Sequence, residues 1–493
     1  MSSLPARPAH KHLLQGMLAI IAAVTLIRCA VLMVSPLNLY PDEAQYWWWA
    51  QTPDIGYFSK PPMIAWIIWL STALLGEAEW AIRISSPLLH GATSILVFHI
   101  SRRLMTDGRA AIAAIAYLTL PGISWSSGLV STDVPLLFFW ALALYAFLRA
   151  CDEHGWQWPI VAGAALGLGL LSKYAMLYFV VGAAIAAFRS SSARRYLLGP
   201  RGLVTILIGV VIFSPNVVWN ALHGFPTVAH TAANADWERS RYSFVGVLSF
   251  AIGQLGVFGP ILMAGWVGAL WRLARRSVQD ETALVLAAFS LPPLLLILVQ
   301  AFVAGANANW AATAYVAATP LAIAELVRWW KPRALWASFV IHGAVLVTLW
   351  MLLAWPALAE RIGVGNALKR EEGWRKLGAE VAGVAAAAPY DAIAADNRSI
   401  AAELLYYVRP RRAPMRVWSR DLNIRDHFEM TIRLERGVNR VLLVLEPRSA
   451  GRVLATFDSS ALLKTVAIPV GGHHQRVTVL YDARHYRGPQ LHT

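Results

Sequence analysis

Charge is scarce in this chain. Asp, Glu, Lys and Arg make up 14% of its 493 residues, where a soluble domain carries about a quarter, and that shortfall excludes an ordinary water-soluble fold. Cysteine is nearly missing. Cys29 and Cys151 both fall in or at the end of apolar runs, which excludes a disulfide framework and a cysteine metal cage. The more polar C-terminal part has no glycine-rich nucleotide fingerprint, since Gly471-Gly472 alone is only a turn signal. A cleavage site of the small-x-small kind is lacking too. Leu13–Val34 is also too long for the core of a cleaved signal, so the short basic start reads as the front of a retained signal anchor.

What the chain has is apolar residues, 57% of the total, in runs of roughly 18–22 that recur along most of its length. The fold class that follows is a polytopic α-helical membrane protein. The net charge of +15 suits Lys and Arg filling the cytoplasmic loops of an inner-membrane protein better than a nucleic-acid surface. About eleven crossings are expected, at 13–34, 80–101, 109–127, 134–150, 158–172, 174–189, 201–220, 244–270, 282–304, 308–327 and 335–355. The shorter run 62–75, with Trp66 and Trp69 suited to the membrane boundary, is read as an interfacial or re-entrant helix. With the N-terminus cytoplasmic, Arg102-Arg103, Arg149, Arg189 with Arg194-Arg195-Arg201, Arg272 with Arg275-Arg276, and Arg328-Lys331-Arg333 all fall inside. Counting 62–75 as a crossing would move most of them outside, against the positive-inside rule.

On that map Asp42, Glu43, Lys60, Asp133, Lys173, His223, His230, Asp236, Glu238, Arg239, Arg241, Asn307 and Asn309 all lie on the outer side. A transporter tends to keep its ionisable groups near the bilayer midplane. A one-sided set favours an outward-facing site for an amphipathic or lipid-tailed substrate. From about Pro356 charge rises and the apolar runs stop. Glu371–Ala387 and Ile400–Tyr407 read as helices. Asp391–Ala395, Met415–Trp418, Arg440–Leu445, Leu463–Val470 and Arg476–Tyr481 read as strands. The expected organisation is a membrane domain over 1–355, its first outer loop at 35–79, and a periplasmic α/β domain over 356–493. That domain caps the outer face, helps dock an acceptor, or stabilises passively.

The first outer loop reads Pro41-Asp42-Glu43-Ala44-Gln45-Tyr46-Trp47-Trp48-Trp49, then Tyr57-Phe58-Ser59-Lys60-Pro61-Pro62. Charges this close to lipid are costly and seldom kept for structure alone. Asp42 or Glu43 could take a proton from an acceptor hydroxyl, orient the acceptor, or hold a divalent cation; Asp42 could equally cap a helix over 44–50. Tyr46 and Tyr57 are candidate substrate contacts in the same loop. Lys60, on a turn stiffened by two prolines, is a point-charge partner for a phosphate or an interfacial lysine that snorkels. Asp133, in Ser131-Thr132-Asp133-Val134-Pro135, is a second outer acid or simply a residue that suits a helix start. Lys173 is a candidate anion contact. His223, with Arg239 and Arg241, could line a lipid-phosphate and sugar site. Asn307, Asn309 and Trp310, then Tyr315, form a polar edge that serves as an interfacial anchor or meets substrate. Arg28, inside the first span, snorkels outward or faces the site. His230 and Asp236 lack compact metal-ligand spacing, so no metal site and no cofactor are expected.

The loop Asp42-Glu43-Ala44-Gln45-Tyr46, the Lys60-Pro61-Pro62 turn and Glu79-Trp80-Ala81-Ile82-Arg83-Ile84-Ser85-Ser86-Pro87 together resemble family 39 of the GT-C glycosyltransferases. Among these, the chain is most similar in kind to the bacterial aminoarabinose and galacturonic acid transferases of lipopolysaccharide, with the protein O-mannosyltransferases more distant. The resemblance implies a GT-C fold and an inverting transfer of sugar from a polyprenyl phosphate to a glycolipid or other glycan acceptor on the periplasmic face. It implies catalytic acids at Asp42 and Asp133, a lipid-phosphate contact at Lys60, a tyrosine role at Tyr315 and an arginine role at Arg239 or Arg241. Two positions depart from the aminoarabinose pattern: Gln45 stands where an arginine is usual, and Ser59 where a glutamate is. The first removes a phosphate or acceptor contact and the second a candidate metal ligand. The expected location is the bacterial inner membrane, and no nucleic acid partner is expected. A transporter or lipid flippase is the alternative from another class, and a silent scaffold a third.

Overall fold

The computed structural model describes residues 8–237, 242–275, 280–329 and 331–489. The chain divides into two compact units, Met1–Met33, Lys60–Ile64 and Arg83–Trp350 in one, and Val34–Ser59, Ala65–Ile82 and Met351–Thr493 in the other. The segments 34–59 and 65–82, counted above with the membrane part, thus group with the C-terminal residues.

The first unit is helical. Among the described residues six helices are long and apolar enough to cross a bilayer: Lys11–Val34, Glu79–Ser101, Asp133–Asp152, Pro200–Leu222, Glu281–Val303 and Arg333–Ala354; counting one bent pair as a span makes seven. The other expected spans are realised as shorter or broken helices. Residues 109–127 form Asp107–Thr119 and Pro121–Ser126, separated at Leu120. Residues 308–327 form the 3₁₀ turn Ala308–Ala311 and then Ala314–Trp329. The run 244–270, expected to be one crossing, is two helices, Phe244–Phe258 and Pro260–Ala274, bent by 106°. Gly259 adopts φ +88° there and Pro260 has no N–H to continue the ladder. Met63–Leu75, most of which groups with the second unit, is a helix of 13 residues, about 20 Å at 1.5 Å per residue and too short to cross.

Aromatic rings fill the middle of this unit. Trp140, Phe147, Phe179 and Phe289 pack with centroids between 4.5 and 6.4 Å apart. Gln157–Ser172 and Pro200–Leu222 approach so closely that a Cβ on Gly163 would lie 2.6 Å from the Thr205 carbonyl oxygen. Small residues give such contact where lipid offers no hydrophobic drive. Arg28 is buried, and its Nη2 donates to the Leu118 carbonyl (2.8 Å) and to Ser124 Oγ (3.2 Å). It therefore satisfies the broken helix end at Leu118–Leu120 and does not snorkel.

The second unit contains a five-stranded sheet with strands β1 (Ala392–Ala395), β2 (Met415–Val417), β3 (Arg440–Leu445), β4 (Phe457–Val470) and β5 (His474–Tyr486) in the order β2-β1-β3-β5-β4. β1 is parallel to β2 and β3, while β5 is antiparallel to β3 and β4. Helix Arg398–Tyr407 makes the crossover between β1 and β2. β3 is buried on both faces, as a central strand should be. Helix Pro41–Gln51 packs on helix Arg398–Tyr407, with the Trp47 ring edge-on to Tyr406 at 4.9 Å and the Leu39 N–H donating to Tyr407 Oη at 2.7 Å. Asn38 accepts from the Arg375 N–H (3.2 Å) and donates its own N–H to the Glu371 carbonyl (2.8 Å).

Candidate functional site

In the second unit the loop acids sit at the start of helix Pro41–Gln51. Pro41 takes the first helical position, where a missing N–H costs nothing. Tyr40 is the extended residue before it, and Glu43 Oε2 accepts the Tyr40 N–H at 2.9 Å. Glu43 is 1% exposed, so it closes the helix end and is not presented as a proton acceptor. The cap suggested for Asp42 is thereby filled by Glu43, and Asp42 is turned elsewhere. Its Oδ1 accepts from Arg398 Nη1 at 2.7 Å, and the same Nη1 donates to Gln45 Oε1 at 2.8 Å. Asp42 and Gln45 lie three apart on one helix face, so one guanidinium spans both. Arg398 opens helix Arg398–Tyr407, whose first turn Asn397 caps through its side chain to the Ile400 N–H (2.9 Å). Burial works against the Arg398 charge, but Asp42, by charge and hydrogen bond, and then Tyr46 and Asp426 outweigh it and hold the guanidinium above its ordinary value. The Asp42 side chain remains 38% exposed.

Tyr46 and Tyr57, expected to touch substrate, are buried in an aromatic cluster of this unit. Tyr57 stacks on Trp49 (4.5 Å, 6°), donates its hydroxyl to the Trp49 carbonyl (3.1 Å) and accepts the Asp54 N–H (2.9 Å). Burial raises its hydroxyl to about 12. Tyr46 lies 5.3 Å from the Trp49 ring, and His427 meets Trp49 and Tyr57 edge-on at 5.3 and 5.7 Å. Burial pushes His427 down to about 4, against a smaller opposing effect of Asp54. Tyr46 and Trp49 belong to the helix that carries Asp42, and Tyr57 and His427 pack on it through Trp49.

In the first unit Asp133 begins helix Asp133–Asp152. Its Oδ1 accepts from Lys173 Nζ at 2.7 Å, and its Oδ2 from Asn309 Nδ2 at 2.8 Å. Lys173 stands where helix Gln157–Ser172 ends in extended backbone before the 3₁₀ turn Tyr174–Leu177. The pair is mostly buried, with side chains 13% and 21% exposed, and both carboxylate oxygens are engaged. Lys173 is thus matched to an acid within the fold. Beside it the Tyr174 hydroxyl donates to Asn216 Oδ1 (2.8 Å), and Asn220 accepts the Thr227 N–H (3.2 Å). His223 is exposed and stacks on Trp219 at 4.2 Å. Lys60 is half-buried at the Pro61-Pro62 turn. Tyr315 is 2% exposed, stacks on Phe258 at 4.3 Å and donates its hydroxyl to Gln254 Oε1 at 2.5 Å. It therefore belongs to the helical core and not to an outer edge. Arg239 and Arg241 lie outside the described residues. Among the described residues no group of three or more His, Cys, Asp or Glu side chains is arranged to hold a metal ion.

Two partners escaped the sequence. Arg398 lies 356 positions from Asp42, and Asn309 lies 176 positions from Asp133. The departure at Gln45 was the available signal: a loop that lacks its usual cation invites a search for one from elsewhere.

A family model described as dolichyl-phosphate-mannose-protein mannosyltransferase matches residues 59–219. Lipid A galacturonosyltransferase RgtD of Rhizobium johnstonii is 36% identical over 404 residues, covering 82% of this chain and 84% of that protein. An undecaprenyl phosphate-α-4-amino-4-deoxy-L-arabinose arabinosyl transferase of Pseudomonas aeruginosa is 30% identical over 153 residues, 27% of each chain. Among solved structures, ArnT from Cupriavidus metallidurans bound to undecaprenyl phosphate aligns with a TM-score of 0.66 at 17% identity, covering 94% of this chain and 98% of that one. At that identity the likeness speaks for the fold alone.

Proposed function

Since this chain belongs to family 39 of the GT-C glycosyltransferases, we propose that it moves a sugar from a polyprenyl phosphate to a lipopolysaccharide-type acceptor, lipid A or core saccharide, at the periplasmic face of the inner membrane. It is a membrane glycosyltransferase, and the donor and acceptor classes are those named for its relatives. The observation that carries the reading is the exposed Asp42 carboxylate, fixed through Oδ1 by Arg398 and left open to solvent.

In the proposed reaction an acceptor hydroxyl attacks the anomeric carbon from the face opposite the phosphate. The new glycosidic C–O bond forms as the C–O bond to phosphate breaks, and the configuration inverts. Asp42 receives the hydroxyl proton, with its free orientation removed by Arg398 and Gln45. The bonding electrons leave with polyprenyl phosphate; Lys60, on its Pro-Pro turn in the first unit, is a point charge suited to a lipid phosphate. Asp133 and Lys173 have an anchoring role: each neutralises the other, and with Asn309 they tie helix Asp133–Asp152, the end of helix Gln157–Ser172 and the 3₁₀ turn Ala308–Ala311 at one point.

The test uses purified protein with a polyprenyl-phosphate sugar and lipid A. Mass spectrometry should find one sugar added per acceptor and one polyprenyl phosphate released per turnover. A donor that is moved across the bilayer chemically unchanged would favour a flippase and end this reading.

A further inference from the structure

The second unit contains a cavity of about 560 Å³. Arg370, Arg448 and Arg476 line it against one carboxylate, Glu446, and Pro41 and Ser399 form part of its wall. Three guanidiniums around one hollow repel one another unless an anion is shared between them. Glu446, whose Oε1 accepts from Asn397 Nδ2 at 2.9 Å, offsets one of the three charges in this lining and leaves the lining net positive.

Two of the arginines are held in place by rings. Arg476 lies on the Trp374 ring, 3.4 Å from its centroid, and Arg370 on the Tyr40 ring at 4.4 Å. Arg476 Nη2 donates to the carbonyls of Lys369 (3.1 Å) and Glu372 (3.2 Å), while its buried Nε has no hydrogen-bond partner among the described residues. Burial lowers the Arg476 guanidinium to about 10, with Glu403 and Glu446 acting the other way, so it stays charged at neutral pH. Stacked guanidiniums of this kind are pre-organised for the planar oxygens of a phosphate or carboxylate.

The cavity also borders the candidate base. Pro41 precedes Asp42, and Ser399 follows Arg398, so both members of the Asp42–Arg398 pair are chain neighbours of its wall. Its volume suits a saccharide ring with one anionic substituent. We propose that this cavity is the subsite for an oxyanion, phosphate or carboxylate, carried by the acceptor saccharide. The assignment of the ligand to the acceptor rests on the role given to Asp42 above.

The experiment is equilibrium binding to the full-length protein in nanodiscs of neutral lipid. The probes are an N-acetylglucosamine disaccharide bearing a phosphate, the same disaccharide linked to a uronic acid, the unmodified disaccharide, and inorganic phosphate. One charged disaccharide or both should bind about tenfold or more tighter than the neutral one, equal to ~1.4 kcal/mol, and the tighter of the two identifies the anion. Arg448→Ala and Arg370→Ala, both at exposed side chains, should each reduce that preference severalfold, and Arg448→Lys should restore part of it. Equal binding of all three saccharides, or an unchanged preference in both alanine variants, overturns the proposal. So does inorganic phosphate binding as tightly as the phosphorylated saccharide, which would mean a site for free anion. Binding needs no turnover, so its failure leaves the transfer reaction standing, and failure of the transfer assay leaves the binding result intact.

Discussion

Replacing Arg398 by alanine should slow transfer strongly and barely touch stability. The side chain makes two bonds from one nitrogen, 2.7 Å to Asp42 and 2.8 Å to Gln45. Both members of the ion pair are more than a third exposed, so solvent screening limits its worth to stability to about 0.2–1 kcal/mol. Its worth to catalysis is larger, because an unheld carboxylate samples other rotamers, and a 1 Å misplacement of a reacting group costs on the order of 100-fold. The expected outcome for Arg398→Ala is a kcat lowered about 10- to 100-fold, a donor KM within about twofold of wild type, and a melting temperature within a few degrees. Arg398→Lys keeps the charge on a more flexible stem and should fall between. Gln45 sits one turn from Asp42 on the same face, so Gln45→Arg placed in the Arg398→Ala background should return part of the lost rate. The assay is steady-state release of polyprenyl phosphate, with a thermal scan of each variant. A kcat unchanged by Arg398→Ala, or a loss of rate matched by a collapse in melting temperature and no recovery with Gln45→Arg, would refute the positioning role.

Lys60→Ala should raise the donor KM about 10- to 100-fold, the worth of one charge-assisted hydrogen bond; an unchanged donor KM removes Lys60 from phosphate binding. Lys173→Met should leave the mostly buried Asp133 with Asn309 as its remaining partner and cost about 1–3 kcal/mol of stability, read as a lower melting temperature in detergent; an unchanged value contradicts the anchoring role. His427 has its folded value pushed down to about 4 by burial, so between pH 6.5 and 4 the unfolded chain binds the extra proton. Its contribution is complete above about pH 6.5 and declines as pH falls toward 4, by on the order of 3 kcal/mol. His427→Leu should flatten that stretch of the melting-temperature profile, and a profile identical to wild type contradicts the assignment.

Local pattern carried much of the fold. The helix Trp374–Ala386 and strands β1, β2 and β3 lie close to the positions their periodicity suggests, whereas β4 begins six residues before the expected Leu463 and β5 ends five after the expected Tyr481, over stretches that pair with each other and are largely exposed. The break at Gly259–Pro260 was obscured by continuous apolarity: hydropathy runs unbroken through a dipeptide that the backbone cannot continue as helix. At the site, Asp42 was legible as a costly charge beside an apolar span. Glu43 looked like its equal until the Tyr40 N–H showed it to be the helix cap. Tyr46, Tyr57 and Tyr315 looked like substrate contacts because buried and ligand-facing aromatics share one sequence signature. Arg398 and the Asp133–Lys173–Asn309 cluster were out of reach, since their partners are joined by tertiary packing across 356, 40 and 176 positions.

The most direct measurement is transfer by Asp42→Asn, purified beside the wild type and matched to it in melting temperature. The amide keeps the size and can still accept from Arg398, but it cannot take the acceptor's proton. Polyprenyl phosphate release and sugar gain by lipid A should both fall about 10²- to 10⁴-fold, the range of general-base catalysis. Full activity in that variant would contradict the chemistry assigned to this carboxylate.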